Sequence, residues 1–415
     1  MLHLQSAFGI CVIIALAWLL SEDRRAFPLR TVVAGLALQA ALAMLLLKVP
    51  VARDGLLALN GAVDALTSAT RAGTSFVFGL VGGGTPPFAV TNPQGMVSFA
   101  FQILPLVIVI SALSALLWHW RILPVIVNTF AFVLRKLLGI GGAVGLGSAA
   151  TIFMGMVEAP LLIRPYLSRL TRSELFTLMS VGLATVAGTV FFLYASILKD
   201  AVPGALGHIL IASMMSLPAA ILIARIMVPG EAGVATDRES DLKYRSSMDA
   251  VAHGTEVGLK IYLQIMAMLI VMVALIALAD TILRNLPWVS GEPLSLEHIF
   301  GWLFAPVVWL FGIPWGEAAT AGSLMGIKTI LNELVAYLHL AALPKGILDP
   351  RATLIMVYAM CGFANLGSVG IMIAGLGTLI PERRDEIVPL AMRAIVSGTM
   401  ASGLTGAMIG LLPVV

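Results

Sequence analysis

Residues 152–163 read Ile-Phe-Met-Gly-Met-Val-Glu-Ala-Pro-Leu-Leu-Ile, so that one carboxylate, Glu158, lies between a glycine and a proline in an otherwise apolar run. A charge at bilayer depth costs roughly 2.5–3.5 kcal/mol on insertion scales, and its default role is to meet a substrate, an ion or a proton. The plainer reading is an acid that caps a helix or pairs at an interface. That reading suffices for one such residue, but residues 330–337, Ile-Leu-Asn-Glu-Leu-Val-Ala-Tyr, set Glu333 in a similar context.

Composition fixes the setting of both carboxylates. With 59% hydrophobic and 11% charged residues over 415 positions, the chain cannot be arranged as a globule with a polar surface. Runs such as Ala7–Leu20, Val32–Leu47, Phe101–Leu117, Ile209–Ile226, Ile261–Ala279 and Ile387–Leu412 approach or exceed the roughly 20 residues that cross a bilayer. The expected class is an all-α polytopic membrane protein. The first run has no basic region before it and is followed by Glu22-Asp23-Arg24-Arg25, so it reads as a membrane helix, not a cleaved signal. Cys11 and Cys361 lie in separate apolar segments and predict neither a disulfide nor a thiolate metal site.

The net charge of +3 is small and the basic residues are scattered, which points away from nucleic acid. Their distribution reports topology instead. Placing Arg24, Arg25, Arg30, Arg135, Lys136, Arg164, Arg169, Arg172, Arg225, Arg238, Lys243, Arg245, Arg383 and Arg384 in the cytoplasm puts both termini on the periplasmic side of a bacterial inner membrane. Leu56, Leu59, Val63 and Leu66 share one face of an expected interfacial helix, Gly82–Pro87 reads as a connector, and Gly230–Thr255 as a polar surface segment. Trp118-His119-Trp120 has the character of an interfacial anchor.

The two carboxylates belong to a repeated order of features. Gly139–Leu167 is rich in small residues and suits a re-entrant hairpin carrying Glu158; Gly182-Leu183-Ala184-Thr185-Val186-Ala187-Gly188-Thr189 follows inside the next apolar segment. In the second half, Trp315–Leu340 carries Glu333 and is followed by Gly362-Phe363-Ala364-Asn365-Leu366-Gly367-Ser368-Val369-Gly370. Small residues also favour close helix contacts, which would explain any one of these clusters. Hairpin carboxylate followed by interrupted helix, twice, fits an inverted repeat whose unwound backbone lines a midplane site. Carbonyls there, with Thr151, Thr185, Thr189, Asn365 and Ser368, offer oxygen ligands to a small cation or a polyhydroxyl solute.

On these residues, together with Leu170-Thr171-Arg172-Ser173-Glu174-Leu175-Phe176 and Ile313-Pro314-Trp315, nearly the whole chain resembles the concentrative nucleoside transporter family. The resemblance implies about eight transmembrane helices with two re-entrant helical hairpins and interfacial helices. It also implies cation-driven nucleoside uptake and a homotrimer. Carried over by position, Glu158 would face the nucleobase, with Val190 and Phe363 in apolar contact, and Glu333, Asn365 and Ser368 would hold the ribose hydroxyls. A carboxylate that accepts two hydroxyls beside an amide that donates and accepts fits a diol.

The chain departs from the family pattern where Met156-Val157 replaces Gln-Thr/Ser, where Gly367 replaces Ser, and where Thr151 replaces the Asn of sodium-coupled relatives. Losing base-reading polar groups can shift discrimination by orders of magnitude, leaving open another nucleoside-like or nucleobase-like solute. For coupling, the resemblance offers sodium at Thr151 and Thr185, beside carbonyls near Met154 and Val186. A proton on a buried Glu158 is the alternative that this reading leans toward. Lys328 and Arg393 either pair with an acid or snorkel. No cofactor is expected.

The expected organisation is 1–137 as scaffold helices with the interfacial helix, 138–228 as the first repeat, 229–296 as the surface segment with a long scaffold helix, and 297–415 as the second repeat. An enzyme is disfavoured, since the six histidines are dispersed and neither His-Glu-x-x-His nor Gly-x-Ser-x-Gly occurs. A facilitative, channel-like pathway would need a continuous polar stripe, whereas the polar groups gather at two hairpins and two breaks.

Overall fold

A computed structural model describes residues 2–90, 96–230, 244–285 and 294–412. These are helical, with no strand among the described residues. In order the helices are α1 (Leu2–Leu19), α2 (Leu29–Lys48), α3 (Pro50–Phe78), α4 (Leu106–His119), α5 (Ile122–Leu138), α6 (Gly142–Leu162), α7 (Arg164–Leu167), α8 (Arg172–Ala184), α9 (Gly188–Leu198), α10 (Ala205–Met227), α11 (Ser247–Leu283), α12 (Leu296–Leu310), α13 (Trp315–Ile330), α14 (Glu333–Ala342), α15 (Pro350–Met360), α16 (Leu366–Leu379) and α17 (Arg384–Leu411). Among the described residues eight spans are long and apolar enough to cross a membrane, and α12 with α13 forms a further pair bent by 114°.

The breaks fall where small and polar residues interrupt the apolar pattern. Helix α6 is not straight: Gly155 has φ 84° and ψ 174°, a conformation closed to side chains with a Cβ, so the segment divides into limbs 142–154 and 156–162. Thr185–Ala187 leaves the helical region between α8 and α9. The chain turns between α13 and α14 at Leu331 and Asn332, and α14 packs back on α13. Residues 361–365 separate α15 from α16. Asn332 and Asn365 accept the backbone N–H three residues on, and so start α14 and α16; Thr171 and Glu174 form a capping box on α8.

The breaks at 185–187 and 361–365 meet in the core. The Phe363 amide donates to the Thr185 carbonyl at 3.2 Å, and a Cβ on Gly362 would stand 2.7 Å from the Ala184 oxygen, so only glycine permits this approach. Helices α10 and α17 pack behind α8 and α15 and are buried over most of their length. By contrast α11 packs mainly on α4 and leaves Ile270, Val271, Leu275 and Leu278 exposed, the face expected of a helix whose solvent is lipid.

Several expectations from the sequence are refined. The surface segment 230–255 falls partly outside the described residues, at 231–243, but its end is already helix, because Ser246 caps the Asp249 amide and starts α11 at Ser247. The interfacial stripe lies on α3; the side chains of Leu56 and Leu59 lie outside the described residues, while Val63 is buried. The connector at Gly82–Gly84 is a tight turn held by the Thr74 hydroxyl on the Gly82 carbonyl. Of the aromatic pair, Trp120 stays outside and donates to Ser247, whereas Trp118 turns into the core. Arg393 finds a partner: it binds Glu22, which Arg172 also holds at 2.8 Å. Lys328 does not snorkel and is fully buried.

Candidate functional site

A cavity opens between α9, α11, the α13–α14 turn and the start of α16. Its polar wall is Tyr194, Asn332, Glu333, Asn365 and Ser368. Glu333, 4% exposed, is in the first turn of α14, where the helix N-terminus favours a negative charge. Its Oε1 accepts from the Tyr194 hydroxyl at 2.6 Å and its Oε2 from Asn365 Nδ2 at 3.2 Å. An ionised carboxylate offers about four acceptor directions, so roughly two remain for a ligand. Asn365 spends its Oδ1 on the Ser368 amide at 2.8 Å and keeps a second N–H free.

The opposite wall is apolar. Met156, Val190 and Phe363 face Ile261, Ile265 and Met268 of α11, and Gln264 is the polar side chain among these α11 residues. Cavity and sequence coincide for Met156, Val190, Glu333, Phe363, Asn365 and Ser368. Val157 lies elsewhere, over Gly375 of α16. Glu158 is half-buried, does not line the cavity, and folds back over Gly155 toward the backbone N–H groups of Val157 and of itself.

The oxygens read as a cation site also come together. Thr151 and Thr185 are 1% exposed, and their hydroxyls are 3.5 Å apart. Each donates within its own helix, Thr151 to the Ser148 carbonyl at 2.7 Å and Thr185 to the Val181 carbonyl at 2.9 Å, which leaves lone pairs on both oxygens. The Val186 carbonyl accepts from Ser213 at 3.3 Å. Met154 ends the first limb of α6, one residue before the kink.

Tyr194 and Gln264 were not singled out from sequence. Tyr194 is four residues after Val190 and so on the same helix face, which is a usable signal. Gln264 is an amide inside an apolar run, a warning in its own right.

Three family profiles cover most of the chain: "Na+ dependent nucleoside transporter N-terminus" at residues 8–81, "Nucleoside recognition" at 100–201 and "Na+ dependent nucleoside transporter C-terminus" at 208–410. Nucleoside permease NupC of Helicobacter pylori is 36% identical over 98% of this chain and 97% of that protein. The chain belongs to the concentrative nucleoside transporter family. The family's animal branch is also recognisable, since sodium/nucleoside cotransporter 1 of Rattus norvegicus is 31% identical over 99% of this chain and 64% of its own length. Among solved structures, CNTnw in an inward-facing substrate-bound state superposes with a TM-score of 0.89 at 36% identity, covering 99% of each chain. The all-α membrane fold is therefore that of the family, and its members are multi-pass nucleoside transporters, not enzymes.

Proposed function

We propose that this chain is a sodium-coupled nucleoside symporter of the bacterial inner membrane, working by alternating access. The observation that carries the reading is the division of the cavity, with a hydrogen-bonded carboxylate and amide at one end and an apolar slot at the other. That division matches a solute with a vicinal diol on one side and a flat heterocycle on the other. Glu333, Asn365 and Ser368 take the ribose hydroxyls; Met156, Val190 and Phe363 take the base. The curated names support nucleoside as the substrate class.

Sodium is the reading supported by the Thr151–Thr185 oxygen pair and by the profile descriptions. Proton coupling through Glu158 is the second reading, favoured by a carboxylate in an apolar segment with no other side chain bonded to it in the structure. Alternating access follows if the two segments broken at Gly155 and at Leu331–Asn332 are re-entrant and move with their paired breaks against a scaffold of α4, α11 and the N-terminal helices. We assign the scaffold to a homotrimer, with both termini periplasmic.

The test is uptake of labelled uridine and adenosine into proteoliposomes under a sodium gradient or, separately, a proton gradient. Accumulation driven by sodium is the expected result. Accumulation driven by protons alone moves the coupling to Glu158, downhill flux indifferent to both gradients makes the pathway facilitative, and no flux of either nucleoside removes the substrate assignment.

A further inference from the structure

Lys328 is fully buried in the last turn of α13, and its ammonium makes no hydrogen bond. A buried cation without a partner is costly, so its place needs a cause. Its ionisable neighbours are Glu333, across the turn at the start of α14, and Cys361, in the break before α16. The carboxylate is further bonded by neutral groups, Tyr194 from α9, Asn365 and its own backbone N–H, and the Tyr337 ring lies tilted against Tyr194 with centroids 5.2 Å apart. Glu297 and His339, 3.3 Å apart, line with Asp280 and Arg284 a separate cavity beside Ile327 and Ile330. Lys328 does not line the substrate cavity.

The turn at Leu331–Asn332 sets the two charges at the helix ends that favour them. Lys328 is at the C-terminal end of α13, where carbonyls point outward, and Glu333 is at the N-terminal end of α14, where N–H groups do. We propose that Lys328 is the built-in counter-charge of Glu333, a positioning residue that keeps the carboxylate ionised and so able to accept the ribose hydroxyls. The inference rests on the nucleoside reading of the cavity. It goes further in fixing the charge state of the recognising group and in making the recognition element a neutral pair, so that the coupling ion supplies the net charge moved.

Without Lys328 the buried carboxylate takes up a proton and becomes a donor where the ribose needs an acceptor. The test is uridine and 2′,3′-dideoxyuridine binding to purified transporter by calorimetry between pH 6 and pH 9, for the wild type, Lys328→Met, Glu333→Gln and the double variant. Wild-type affinity for uridine should be flat across this range. Lys328→Met should bind uridine at least about tenfold more weakly at pH 6 and regain affinity as pH rises, with dideoxyuridine little affected. Thermal stability should show the pairing independently: the double variant should melt above Glu333→Gln, in which the ammonium stands alone.

A wild type that fails to bind uridine overturns the nucleoside reading and not the pairing, which the melting cycle still decides. Uridine binding by Lys328→Met that equals wild type, or that is lost equally at all pH values and for both ligands, overturns the inference. If Lys328→Met does not insert but the double variant does, the pairing stands; if both fail, Lys328 is structural and the proposal is wrong.

Discussion

The two broken segments that carry Glu158 and Glu333 share an order of features but not a chemistry. Around Glu333 polar groups gather: Tyr194 and Asn365 bond it, Asn332 starts its helix, and Lys328 ends the preceding helix. Around Glu158 the carboxylate meets its own backbone, Met156 faces the cavity, and Val157 packs on α16. On the proposed reading, the segment around Glu333 recognises by hydrogen bonds and the segment around Glu158 by shape. Apolar contact discriminates weakly among similar solutes, whereas a polar site rejects whatever leaves its buried groups unpaired. Selectivity for the sugar end should therefore exceed selectivity among bases.

The largest disturbance of that contrast is Glu333→Gln, which should lower the kcat/KM of uridine uptake by at least about 100-fold while inserted protein persists in the membrane. Normal uptake would show that the polar half is not where the sugar binds. Tyr194→Phe removes one donor to the same carboxylate and should cost about tenfold in uridine affinity, a loss of roughly 1.4 kcal/mol, measured by equilibrium binding. Met156→Gln instead makes the apolar half polar. Competition between uridine and adenosine should then shift by a few-fold to about tenfold, and an unchanged ratio would mean that the base does not rest on this residue.

The smallest effect lies away from both halves. Arg172 holds the Glu22 carboxylate below its usual range by hydrogen bonding, against a smaller opposing effect of burial, with Arg393 assisting. A carboxyl depressed in the folded state stabilises above its unfolded value, near pH 4.5, and loses that contribution as pH falls through the lower folded value. Because Glu22 is largely open to solvent, screening limits the pair to under about 1 kcal/mol. Glu22→Gln should thus lower Tm slightly at pH 7, converge with wild type in acid, and leave uridine uptake intact.

Much of the fold was legible because its signals are local. Apolar length gives the spans, and clusters of small residues at Gly139–Leu167, Gly182–Thr189 and Gly362–Gly370 mark where the helices break. The candidate cavity's polar wall was legible where a polar residue stood inside an apolar segment, as at Glu333, Asn365 and Ser368. What sequence could not give is direction. Whether Val157 looks into the cavity or onto Gly375, and whether Glu158 reaches a ligand or its own amides, depends on a φ angle at one residue. Gln264 escaped because it comes from a distant helix whose approach to the cavity is set by tertiary packing alone.

The hydrogen bond from the Phe363 amide to the Thr185 carbonyl joins a residue of the cavity's apolar wall to one member of the threonine pair. One backbone hydrogen bond thus connects the cavity to the threonine pair. If the proposed ion binds at those threonines and the proposed solute in the cavity, linkage requires reciprocity: by whatever factor the ion tightens the solute, the solute tightens the ion. On the proposed reading, the coupling between ion and solute would then be carried by the backbone as much as by any side chain.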